Sequence, residues 1–274
     1  MESKQLNQER IQSHFEGEQS LLNIQLPSSV SSTNDEAKVQ LLAYPNKINL
    51  VATNKQTAGR GRQGRAFYSS LKHGLYFSIA LKPNTEDIEN IPLYTIMAAA
   101  TLVEVLEKSI EHSLSVKWVN DVFYQGRKIS GILSEMVSNT NQLQKPGVVV
   151  GIGINFAGSF SGADDEAQNV AGTLFGEELP EDFDQSVFLG EYLSRFYKYH
   201  QNFEEKEFMA VYEKHLIGIG KEATYSVNNE RHRGIIQGIN NKGHLLVKNS
   251  DQTIETLYGQ AIHFSSSQFI EADE

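Results

Sequence analysis

Between Lys55 and Phe67 the chain reads Lys-Gln-Thr-Ala-Gly-Arg-Gly-Arg-Gln-Gly-Arg-Ala-Phe, three arginines alternating with three glycines in a protein of formal net charge −10. Arginine carries a rigid fork of donors that matches carboxylate and phosphate oxygens. Glycine lets the backbone bend and come close to a ligand. The two together describe a mobile anion clamp, a positively charged loop able to wrap a negatively charged small molecule. From Ala37 to Thr85 there is no Asp or Glu, while Lys38, Lys47, Lys55, Arg60, Arg62, Arg65, Lys72 and Lys82 all fall there. A nucleic-acid-binding protein usually carries a broad basic face. One basic window in an acidic body reads instead as a local anion site.

A second constellation is Lys117-Trp118-Val119-Asn120-Asp121, with Arg127-Lys128-Ile129-Ser130-Gly131-Ile132-Leu133 just behind it. A lysine at the start of a strand, followed by small residues, can aim its ammonium at a ligand lying over a sheet. Gly151 and Gly153, in Val148 to Asn155, strip side chains from one face of an apolar strand and mark a bulge or a close approach of ligand to backbone. Other chemistries are excluded. The chain has no cysteine, hence no disulfide, zinc–thiolate site or cysteine nucleophile. Its histidines lack HExxH spacing, and the phosphate loop GxxxxGK[ST] is absent. Gly59 to Gly64 formally matches GxGxxG, but the residues after Gly64 lead to a strand and not to the helix a dinucleotide-binding turn requires.

The elements that position these residues can be read from periodicity. A short helix is expected at Leu6–Phe15, and a strand at Leu21–Val30 from the alternation of Leu22, Ile24 and Leu26. Thr33 and Glu36 fit a capping box at a helix start. Strands at Ile48–Thr53 and Leu75–Leu81 flank the Gly/Arg loop. Pro92 opens a long helix whose buried stripe runs from Leu93 to Ile110. A strand at Leu114–Val119 and a hairpin around Gln125-Gly126 precede the Gly147–Phe156 strand. Gly158–Gly176 is a long loop of functional length. Helices are expected from Asp184, as cap, to Tyr199 and from Phe203 to Leu216. Short strands with turns at Asn228-Asn229 and Asn241-Lys242-Gly243 then suggest a small β-barrel. The expected division is 1–20 as an N-terminal extension, 21–217 as the main domain and 218–274 as the small one, in an α+β protein with a mixed sheet. No signal peptide and no apolar run near ~18 residues is seen, so a cytoplasmic protein without membrane contact is expected.

Ser32-Thr33-Asn34, Gln56 with Gly59-Arg60-Gly61-Arg62-Gln63-Gly64-Arg65, Lys117-Trp118-Val119-Asn120-Asp121, Lys128 to Leu133 and Gly151-Ile152-Gly153-Ile154-Asn155 occur in the order seen in biotin–protein ligases. Over residues 24 to about 156 the chain resembles that family, and its β-rich tail resembles the family's SH3-like C-terminal domain. The resemblance implies a mixed sheet with helices on one side carrying the site. It implies a monofunctional enzyme, without a DNA-binding domain and binding no DNA, that acts as a monomer or homodimer. It further implies that biotin and ATP, with Mg²⁺, are joined as biotinyl-5′-AMP, and that biotin then passes to a lysine of the biotin carboxyl carrier domain of a carboxylase. Carried over, Ser32, Thr33 and Gln56 bind the ureido end of biotin. Arg60 and Arg62 hold the carboxylate and phosphate, and Lys128 the junction between them. Arg65 and Phe67 close the loop. Asn34, Gly59, Gly61, Gly131, Gly151 and Gly153 shape the biotin and adenylate site; Lys117, Asn120, Asp121 and Asn155 lie on the nucleotide side. No ligand set for the metal is named. Val119 stands where the family usually has proline. Trp118 is the only tryptophan, so the aromatic platform some members place beside adenine is missing from the later loop. A lipoate or octanoate ligase of the same fold is the alternative; its RRxSGGG-like signature is absent.

Overall fold

Pro27 has no amide to donate to a sheet ladder, and the first strand stops short of it. In the computed structural model, which describes residues 5–85, 88–138, 146–227 and 230–258, β1 is Leu22–Gln25 and not the ten residues expected. The preceding helix α1 (Gln8–Ser13) is also short, capped by the Asn7 side chain and burying Ile11. After β1 come α2 (Thr33–Ala43), β2 (Ile48–Thr53) and β3 (Gly74–Leu81). Pro92 sits at the cap of α3 (Leu93–Leu106), which ends before Ile110 in a 3₁₀ turn over Glu107–Ser109.

The strands β4 (Ser115–Lys117), β5 (Asp121–Tyr124), β6 (Arg127–Val137) and β7 (Gly147–Asn155) complete the main sheet. The expected β5–β6 hairpin is present. Gln125 and Gly126 both have positive φ, 47° and 72°, as the two-residue turn matched to strand twist demands. The peptide between Trp118 and Val119 is cis. The expected long loop contains a short helix, α4 (Asp165–Val170), capped by Asp164. Then α5 (Gln185–Gln201) starts from its Asp184 cap. The helix expected at Phe203–Leu216 is broken at Lys206, which takes left-handed φ of 53°, leaving a 3₁₀ turn and α6 (Glu207–Lys214). Last come β8 (Glu222–Val227), β9 (Glu230–Ile239), β10 (Leu245–Lys248) and β11 (Ile254–Leu257). The Asn228-Asn229 turn lies outside the described residues.

Among the described residues the strands form two sheets. The larger has seven, in the order β1-β2-β3-β7-β6-β5-β4, parallel at β1–β2 and antiparallel elsewhere. The smaller is four-stranded and antiparallel, in the order β11-β10-β9-β8. Strand alternation splits the larger sheet into two faces. Leu50, Ala52, Phe77, Ile79, Val150 and Ile152 share one core with the buried residues of α3 and α5, where Phe77 and Tyr192 meet edge to face at 5.1 Å. Val51, Ala80 and Val149 pack on the other face against Ala37 and Leu41 of α2. The helices therefore cover both faces, correcting the one-sided arrangement expected; Ala37 and Leu41 give α2 its own apolar seam, four residues apart. Among the described residues no helix is long and apolar enough to cross a membrane. The turn between β9 and β10 docks on the segment joining β4 to β5, where the Trp118 indole N–H donates to Gly243 O at 2.9 Å.

Candidate active site

The face that carries α2 also holds a cleft of about 1020 Å³, and its floor is made of glycine. Gly131 of β6 and Gly153 of β7 are paired across the ladder, and Gly151 lies two residues away on the same face. A methyl on Gly151 would overlap Asn34 Oδ1; one on Gly153 would come within 2.5 Å of the Phe67 ring, and one on Gly131 within 3.1 Å of it. The floor is thus bare backbone on which α2 and the Gly/Arg loop rest. Asn34 cannot easily yield. Its Nδ2 donates to Glu135 at 2.6 Å and to Leu133 O at 3.3 Å, and Ser78 donates to its Oδ1 at 2.6 Å. Its amide is used up inside the protein, which makes Asn34 a wedge under the cleft.

The polar corner lies at the start of α2. Ser32, buried, is the cap residue, and Thr33 is the first helical residue. The expected capping box does not form. The Thr33 hydroxyl and amide both donate to Gln56 Oε1, at 3.2 and 2.8 Å. Gln56 competes successfully because it is itself held, its Nε2 donating to Ser69 Oγ at 3.2 Å.

The Gly/Arg loop is a small hairpin. Gly61 donates to Arg65 O at 2.7 Å and Phe67 to Gly59 O at 3.0 Å, with Gln63 and Gly64 turning at φ of 56° and 75°. Gly59 is required here, since a Cβ would overlap Ser69 Oγ. The hairpin spans the cleft and is tied on both sides. Arg60 makes two hydrogen bonds to Asp35 of α2, at 2.7 and 2.5 Å. Arg62 donates to Asn120 Oδ1 at 3.1 Å, and burial works against its charge. Arg65 lines the cleft from the loop's return strand, and the Phe67 ring lies on the glycine floor, edge to face with Tyr76 at 6.2 Å.

The opposite wall is cationic. Lys128 Nζ lies 2.7 Å from Asp121 Oδ1, and Asn120 braces the same carboxylate at 3.0 Å while holding Ile132 O at 3.2 Å. Burial lowers the Lys117 amine to about 8, with Asp121 opposing the shift and Lys128 and Arg65 adding to it. Asn155 is buried at the cleft, and among the described residues its Oδ1 meets no partner. The segment after β7 closes this end: Gly172 donates to Lys128 O at 2.8 Å, and Arg127 to Gln168 O at 2.9 Å.

All the site residues expected from the sequence line this one cleft. Several others were not singled out. Ser78 could have been noticed as a hydroxyl inside an otherwise apolar strand, and Asp35 as an acid next to Ser-Thr-Asn. Nothing local marks Ser69. The later loop does bring an aromatic ring to the cleft: Phe160, 5.8 Å from Tyr68.

A family profile, the biotin/lipoate A/B protein ligase family, matches residues 26–155. Over 216 residues the chain is 29% identical to the bifunctional ligase/repressor BirA of Bacillus subtilis, covering 78% of this chain and 65% of that protein, just under two thirds of its length. It is 33% identical over 130 residues to the biotin–[acetyl-CoA-carboxylase] ligase of Paracoccus denitrificans, covering 47% of this chain and 52% of that one. The biotin protein ligase of Aquifex aeolicus, solved in complex with biotin and ATP, superposes with a TM-score of 0.69 at 28% identity, over 89% of this chain and 98% of that one. The order of motifs, the two-sheet fold and the cleft agree with these likenesses to biotin protein ligases.

Proposed function

We propose that the chain activates biotin with ATP and transfers it to a lysine of a biotin carboxyl carrier domain. The observation that carries this reading is a single cleft in which a neutral hydrogen-bonding corner, Thr33 and Gln56, meets the cations of the hairpin, Arg60 and Arg62, and of the opposite wall, Lys117 and Lys128, over a glycine floor. Biotin has that polarity, with a neutral ureido ring at one end and a carboxylate at the other. The Thr33–Gln56 bonds are those a ureido group exchanges for its own.

In the first step a biotin carboxylate oxygen attacks the α-phosphorus of ATP and pyrophosphate leaves. Both partners are anionic, so fixed cations and enforced proximity are the main requirements. Arg60, Arg62 and Lys128 supply the charge, and no side-chain nucleophile is needed. Mg²⁺ is usually held by one or two carboxylates together with substrate phosphates; Asp121 in the cleft wall fits that role, and the ion would disperse charge on the departing pyrophosphate. In the second step the carrier lysine amine attacks the acyl carbon, AMP leaves and a proton is released. The hairpin, with Arg65 and Phe67, keeps water from the mixed anhydride in between.

Biotin-dependent exchange of pyrophosphate into ATP by the purified protein is the test. Exchange with lipoate and not biotin overturns the substrate; no exchange with either overturns the activity.

A further inference from the structure

Asp35 lies outside the cleft lining, yet both its carboxylate oxygens are bound by Arg60. It is the third residue of α2, where the helix dipole favours an anion, and the Arg60 bonds hold its carboxyl below the usual carboxylate range. Lys38 Nζ lies 3.6 Å from Asp35 and 2.9 Å from Glu135, and Glu135 accepts from Asn34. The carboxylate is therefore anchored through α2 and β6 to the floor of the cleft. Across the cleft Arg62 is tied to Asn120. Between these two ties the hairpin turns back in solvent, its tip residues Gln63, Gly64 and Arg65 exposed.

We infer that Asp35 is a positioning residue that latches the Gly59–Phe67 hairpin shut through Arg60, and so sets how long the acyl-adenylate is retained. This rests on the proposed function. The Arg60 fork meets Asp35 with Nη1 and Nη2, which leaves Nε–H and the outer Nη–H atoms for an anion in the cleft. Arg60 can therefore hold the latch and touch the ligand at once. The pair is roughly 40% exposed on each side, and a bidentate pair at such exposure shifts an open–closed balance by roughly two- to fivefold.

The latch is tested with Asp35→Asn, Asp35→Glu and Asp35→Asn combined with Arg60→Gln. With biotin and ATP but no carrier, Asp35→Asn releases AMP by hydrolysis of leaked adenylate roughly two- to fivefold faster than the wild type, while saturated pyrophosphate exchange is unchanged. Asp35→Glu restores part of the retention. In the Arg60→Gln background Asp35→Asn adds nothing, because the latch is already lost. Raising salt moves the wild-type leak toward the Asp35→Asn value and leaves the variant nearly unchanged. Trypsin cleavage after Arg62 and Arg65 reads the opening without substrate and rises by the same factor. An unchanged leak, an unchanged cleavage rate, or equal losses in exchange and melting temperature overturns the latch. So does tighter substrate binding without leak, which would make Asp35 a competitor for Arg60. Failure of the proposed function shows separately, as absent exchange in the wild type, and the cleavage rates still decide the latch.

Discussion

The floor of the cleft and the strap across it are built on opposite terms. The floor is ladder backbone on β6 and β7, registered residue by residue, with Asn34 of α2 held over it by three partners. The strap is a hairpin with its tip in solvent, tied by an exposed ion pair to Asp35 on one side and by a hydrogen bond to Asn120 on the other. Packed interiors resist changes of a single methyl, whereas exposed ion pairs are worth little and respond to salt. The floor can therefore define the shape of the ligand, and the strap can open and close without unfolding the domain.

Adding atoms to the floor gives the largest effect. In Gly151→Val the new side chain meets the Asn34 amide, which cannot turn away without breaking its bonds to Ser78, Glu135 and Leu133. The expected loss is about 3 kcal/mol of stability, the upper range for overpacking, together with loss of biotin binding. Urea denaturation and biotin titration measure the two. A stable, binding-competent variant would mean that the floor is as pliant as the strap.

Removing the strap's first cation comes next. Arg60→Ala should weaken adenylate binding by roughly 1.5–3 kcal/mol, the scale of a hydrogen bond to a charged group, or about 10- to 100-fold. Its melting temperature should stay close to that of the wild type, since only exposed bonds are lost. An unchanged adenylate dissociation constant would show that the guanidinium serves Asp35 alone.

The same contrast decides what the sequence could disclose. The floor was legible: Gly131, Gly151 and Gly153 stand out because an apolar strand has no other reason to give up its side chains. The strap was legible by composition, yet its partners were not. Arg60 finds Asp35 and Arg62 finds Asn120 only once β1–α2 and β4–β5 lie on either side of the hairpin, and nothing near residue 60 specifies that. The capping box failed for a related reason: Thr33 and Glu36 satisfy the local pattern, but Gln56, twenty-three residues on, takes the Thr33 donors. Element types came from periodicity, and boundaries moved where a single residue overrode it, as at Pro27 and Lys206.

Lys117 belongs to the wall between floor and strap, and pH separates its two states. Its folded value of about 8 lies below the ordinary 10.5 because burial penalises the ammonium. Between those values the unfolded chain keeps a proton that the folded one has lost, so stability rises with pH across that window. Affinity for phosphate moves the other way. Above pH 8 the ATP kcat/KM should fall by up to about tenfold per unit, as it reports the free enzyme's ionisations. Lys117→Arg should flatten the profile, because a guanidinium keeps its charge. A profile identical in both proteins would remove Lys117 from the nucleotide side.

The smallest effect tests the strap alone. Gly64 turns the hairpin at φ of 75°, with nothing within 4 Å of where a Cβ would stand. Gly64→Ala therefore meets no clash and costs only the left-handed backbone, roughly 1 kcal/mol. If strap and floor are energetically separate, that cost falls on closure and not on the fold. Adenylate leak in the absence of carrier rises about fivefold, while the melting temperature stays within about a degree of the wild type. In Gly151→Val the order is reversed, with global stability failing first. A fall in melting temperature for Gly64→Ala matching its cost would mean that the hairpin folds as one unit with the sheet, and that the cleft opens only by a larger rearrangement.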